Sequence, residues 1–279
     1  VEDALRTVLY GVLPSLGITL LLVGLFGPRW TGLAAGIAAV AAWNLIGQQW
    51  PVWPHELWAG KGDGMQRFTW GLVVFGLVNA AAVRREFPAW AYVPPAAALS
   101  WAHAWFSLQT VRTNQKWKDA EILGWQVAAV LAFLCAFAPV RRALQMRPGK
   151  AMAWVLCAIL VADSVLLVST GSAKQGQLAG ALAAVFGAAA GTALWRQGFS
   201  LDRSAALPFA AAHSGLLVVG FHLSYLPRDS ALLAAAAPLA LLLVGPASGG
   251  ALAVVRFASS LLLALGALAG AVWIGGGLA

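Results

Sequence analysis

Residues 151–170 read AMAWVLCAILVADSVLLVST, twenty residues with a single acidic or basic side chain, Asp163, among them. A helix of that length rises about 30 Å, the thickness of a bilayer's hydrocarbon core. The same texture recurs on both sides of this stretch. Apolar runs fall at 177–195, 206–225, 230–246 and 252–275 after it, and at 122–139, 89–110, 68–83, 31–48 and 8–26 before it. The expected fold is therefore all-α, a polytopic transmembrane helix bundle of about ten spans. The third and ninth runs are the shortest, and eight spans result if one short pair is re-entrant.

Bulk composition agrees. Of 279 residues, 61% are hydrophobic and only 10% charged. Soluble domains carry about a quarter charged residues, because a water-facing surface must be solvated. So few charges cannot clothe a compact body, and the outer surface is expected to face lipid. The net charge of +8 would suggest nucleic acid in a soluble protein. Here the basic residues sit in short gaps between apolar runs and read as topology determinants, so no nucleic-acid partner is expected. Cys135 and Cys157 both lie inside apolar runs and offer neither a disulfide framework nor metal-ligand spacing. The first run ends in Gly27-Pro28-Arg29-Trp30, without a small-x-small cleavage pattern, so no cleavable leader is expected.

The charges also set an orientation. After odd-numbered spans lie Arg29, Arg84, Arg85, Arg141, Arg142, Arg147, Lys150, Arg196, Arg203 and Arg256, ten basic residues against Glu86 and Asp202. The other side carries eight basic residues and eight acids. The cluster Arg141-Arg142…Arg147…Lys150 is the strongest local signal, and by the positive-inside rule it belongs in the cytoplasm. Both termini are then outside, in a multi-pass protein of a bacterial inner membrane.

Sliding the chain along itself gives two collinear matches. Residues 19–43 align with 164–188 at an offset of 145, and residues 71–97 with 215–241 at an offset of 144, with eight identities in each window. About three per window are expected by chance in so Ala- and Leu-rich a chain. The chain thus reads as a five-helix repeat over 1–145 and a second over 146–279, within one membrane domain. Five is odd, so the second copy enters from the opposite face and the halves are inverted. Secondary transporters use this arrangement, with a site near the midplane between the copies. The ten-helix, five-plus-five plan in under 300 residues resembles that of the drug/metabolite transporter superfamily. The resemblance is one of architecture, and the outside N-terminus is opposite to that family's usual topology.

Candidate site residues follow from polarity in an apolar setting. Asp163 sits about seven residues from the end of its span, roughly 10 Å from the interface. A charge there is costly, so the carboxyl is neutral, paired or wetted, and such groups carry protons or bind cations. Ser100, His103 and Ser107 recur at three- and four-residue steps and share one helix face. Pro94 and Pro238 occupy equivalent places in the two repeats, and proline frees a backbone carbonyl by removing its N–H partner. Interrupted helices at matched positions point to a binding site, making spans four and nine the expected cavity walls. His213 and His222 lie about 180° apart on span eight and cannot ligate one centre. Either, paired with His103, would make an axial site for haem or pigment, although no attachment motif is present. No catalytic constellation or metal motif is visible.

Two readings result. The first is a small secondary transporter or permease with a midplane site. The second is a non-catalytic subunit of a larger membrane complex, structural or cofactor-holding, suggested by few interior polar groups and 14 tryptophans. Expected partners are the lipid bilayer, other membrane subunits or further copies of the chain.

Overall fold

The computed structural model describes residues 5, 7–82, 89–146, 150–196, 201, 205–223, 225–245 and 250–275. Among them there is no strand. The helices are α1 (Thr7–Phe26), α2 (Thr31–Ile46), the short α3 (Pro54–Trp58), α4 (Gly64–Ala82), α5 (Val93–Ser107), α6 (Gln109–Gln115), α7 (Asp119–Met146), α8 (Lys150–Ser169), α9 (Ala173–Trp195), α10 (Ala206–Leu223), α11 (Arg228–Ala236) and α12 (Gly250–Ile274). A 3₁₀ segment, Ala237–Leu243, continues α11.

Six helices are long and apolar enough to cross a membrane: α1, α7, α8, α9, α10 and α12. This is compatible with a multi-pass membrane protein. Among the described residues each of the ten apolar runs lies largely on helical segments, but four miss that standard for identifiable reasons. The helices α2 and α5 have only 16 and 15 residues. Helix α4 carries Gln66, Arg67, Thr69 and Asn79, all buried, and α11 gives way to 3₁₀ winding at Pro238.

Between helices in lipid, close packing of small residues and interhelical hydrogen bonds do the work that hydrophobic burial does in water. Two seams show this. Along α8 and α9, Ser164 donates a 2.6 Å hydrogen bond to the Gly176 carbonyl. A Cβ on Gly176 would stand 2.3 Å from Val168, and one on Gly187 3.4 Å from Cys157 Sγ. Along α2 and α4 the approach is backbone to backbone. A Cβ on Gly36 would lie 2.5 Å from Val73 Cα, and one on Gly76 2.6 Å from the Gly32 carbonyl. The loop from α8 to α9 closes at Gly171, whose φ of 91° is open to glycine at no steric cost.

Among the six, α9 and α10 are the most buried and α1 and α12 the least. Helix α10 packs against α4, α5, α7, α8, α9 and α11, and is therefore the hub of the bundle.

Candidate functional site: a carboxylate–imidazole pair on the hub helix

Asp163 is the fourteenth of twenty residues of α8, and His213 the eighth of eighteen in α10. Both therefore lie at least about 9 Å from either end of their helices. His213 Nδ1 and Asp163 Oδ2 are 2.6 Å apart, and both side chains are fully buried. Their contact is set from both sides. Leu167, one turn after Asp163, packs where Gly220 lacks a side chain, so α8 and α10 run in the same sense. The Phe209 ring stacks on the imidazole at 5.8 Å and 8°, and Phe186 meets Phe209 edge-on.

The second oxygen of Asp163 and Nε2 of His213 have no hydrogen-bond partner. The 2.6 Å contact requires a proton between Nδ1 and Oδ2, held by one group and accepted by the other. Removing either partner would strand a buried polar group in a low-dielectric interior, at a cost of several kcal/mol.

A second polar spot lies across α10. Ser100, His103 and Ser107 of α5 line one cavity with Ser214 of α10, Phe68 of α4 and Phe133 of α7. Its free volume is about 20 Å³, room for about one water molecule. His103 Nε2 is 3.1 Å from the Phe68 carbonyl, and the imidazole fills the space over Gly71, where a Cβ would stand 2.2 Å from it. Ser107 Oγ is buried without a partner, whereas Ser214 donates to the Ala210 carbonyl at 2.7 Å. On its other side His103 faces a larger apolar groove of about 470 Å³ between α4 and α5, walled by Trp58, Trp70, Phe75, Trp105 and Phe106.

The spacing expectation for Ser100, His103 and Ser107 thus corresponds to one shared cavity. The candidate pairing of His103 with His213 or His222 does not form. His213 meets Asp163, His103 meets the Phe68 carbonyl, and His222 lies among Trp117, Trp125 and Phe221. Among the described residues no three His, Cys, Asp or Glu side chains gather as metal ligands. Pro94 occupies the first turn of α5, where its missing N–H breaks no helical bond, and it is exposed. Pro238 is buried where α11 turns into 3₁₀ winding. The two prolines therefore play different local parts.

Sequence reasoning placed Asp163 and His213 on its candidate roster but did not join them. Ser214 and Phe68 went unremarked. The available signal was that both ionisable groups sit deep in spans that run in the same direction. Against family models, curated proteins and solved structures the chain has no match.

Proposed function

We propose that this chain is a small proton-coupled secondary transporter of an inner membrane, in which Asp163 and His213 carry the coupled proton. The observation that carries the reading is the fully buried pair at 2.6 Å with one open atom on each partner. Structural pairs tend to satisfy every polar atom, and a pair left half-satisfied in an apolar interior is a place where a proton or cation is exchanged.

In this reading ten segments cross the bilayer, both termini lie outside, and residues 1–145 and 146–279 are inverted repeats. The packing of α2 on α9 and of α4 on α10 supports the last point, because an inverted repeat carries each of these pairs onto itself. The fifth helices are seated differently: α7 packs on α10, whereas its counterpart α12 packs on α8. The Ser100–His103–Ser107 cavity is the closed remnant of the substrate site. It has hydroxyls, an imidazole and aromatic faces but no charged side chain in its lining, which suits an uncharged solute bearing hydrogen-bonding groups. His213 and Ser214 are neighbours on α10, about 100° apart around the helix, so a rotation of α10 moves the proton pair and the cavity wall together.

The test uses purified protein in liposomes loaded with a pH-sensitive dye. Sugars, nucleosides, amides and polyols are added outside one class at a time. At least one class is expected to change lumenal pH with wild type and to leave it unchanged with Asp163→Asn. A proton response that persists in Asp163→Asn removes the pair from the mechanism. Purification as a stoichiometric part of a many-subunit particle, with no response to any class, favours the scaffold-subunit reading instead.

A further inference from the structure

Arg142, near the end of α7, and Arg256, in the second turn of α12, are far apart in sequence yet line one cavity of about 410 Å³. Between them runs the end of the 3₁₀ segment. Arg142 Nη1 donates to the Leu242 carbonyl, and a Cβ on Gly245 would stand 3.6 Å from Arg256 Cδ. Both arginines are exposed. No carboxylate lines the cavity, and neither arginine has a salt bridge among the described residues. Two guanidinium groups that share a recess repel one another unless an anion joins them. Their planar forks match the oxygens of a phosphate, and the Ser259 hydroxyl lines the same recess as a further donor.

The rest of the wall is apolar, from Met146, Leu242, Leu243, Val244 and Val255. One turn before Arg256, on the same face of α12, Leu252 is more than half exposed. A free phosphate has no use for such a flank, whereas a lipid lays its acyl chains along it. The site also lies on the face where the sequence places ten basic residues against two acids, and basic pockets between spans on a positive face attract anionic headgroups.

We propose that α7, the 3₁₀ segment and α12 form a binding site for an anionic phospholipid, its phosphate held between Arg142 and Arg256. The site is separate from the Asp163–His213 pair and stands whether or not the chain transports anything.

The experiment is native mass spectrometry of delipidated protein in mild detergent, titrated with dioleoyl phosphatidylglycerol or dioleoyl phosphatidylcholine. Wild type is expected to bind the glycerol lipid at least about tenfold more tightly, the charge difference acting through both arginines. The double variant Arg142→Gln/Arg256→Gln should lose about thirtyfold in affinity for it and clearly less for the choline lipid, whose ammonium offsets its phosphate. Ser259→Trp, which fills the recess and leaves both charges, should also lose the glycerol lipid, and it carries the test alone if the double variant does not fold. Equal binding of the two lipids by wild type, or wild-type affinity in either variant, overturns the proposal. Displacement of the lipid by millimolar inorganic phosphate overturns it too, since the acyl chains would then contribute nothing.

Discussion

Ser164 donates a 2.6 Å hydrogen bond to the Gly176 carbonyl and so fixes α8 against α9 one residue beyond Asp163. Consecutive helical residues point about 100° apart. With Ser164 held on α9, the Asp163 carboxyl is aimed at α10, where His213 waits.

The pair should therefore behave as a unit in stability. Asp163→Leu and His213→Leu each strand a buried polar partner and should cost about 3 kcal/mol. The double variant should cost clearly less than the two together, because no stranded group remains. Denaturant titration in mild detergent measures the cycle. Additive losses would show that the two side chains do not act on each other.

The glycine seams predict opposite outcomes for one chemical change. Gly36→Ala drives a methyl into the Val73 backbone, which cannot rotate away, and should cost about 1–3 kcal/mol. Gly215→Ala meets the Phe68 ring at 2.3 Å and should lose a similar amount. Gly191 has nothing within 4 Å of such a methyl, so Gly191→Ala should be neutral or stabilise by up to about 1 kcal/mol. Thermal unfolding of the three variants in one detergent ranks them, and equal Tm values would contradict the seam geometry.

The short helix α3 should loosen in acid. The Trp53 backbone N–H, then Lys61, hold the Glu56 carboxyl below its ordinary value of 4.5. A lowered folded pKa means that the contribution to stability is fully present above the unfolded value and fades as pH falls through the folded one. Acrylamide quenching of tryptophan fluorescence should therefore rise as pH falls below the ordinary carboxyl value of 4.5 in wild type, with Trp53 at the first residue of the cap. The difference between wild type and Glu56→Ala should vanish at the acid end. A difference independent of pH would show that the carboxylate does not hold the turn.

Crossing number can be read from sidedness. With Cys135 and Cys157 replaced by Ala, Arg29→Cys and Lys61→Cys mark positions separated by α2 and the five-residue α3, which is too short to cross. Ten crossings require them to react with an impermeant maleimide from opposite faces of the membrane. Labelling from one face would mean that the 16 residues of α2, about 24 Å of helix, do not cross.

Long apolar runs made the helices legible, since a bilayer demands continuous stretches with backbone bonds closed internally. The ends were less so. The run 122–139 stops at the arginines, yet α7 continues to Met146 through Pro139, with Arg141 buried over the Tyr92 ring at 4.0 Å. Helix α4 begins four residues before its apolar run, with Arg67 tucked in and bonded to Thr110 at 3.1 Å. Hydropathy counts charges and cannot see that each has a partner. At the site, periodicity within α5 placed Ser100, His103 and Ser107 on one face, because that relation is local. The Asp163–His213 contact joins helices fifty residues apart, and no spacing rule within a helix reaches that far.

The backbone contact between α2 and α4 carries a mechanical consequence. With no side chain as a cushion at Gly36 and Gly76, neither helix can slide or roll against the other without collision. The two form a stiff plank within the protein. Whatever opening the molecule undergoes must take place around that plank, where larger side chains leave room to re-pack.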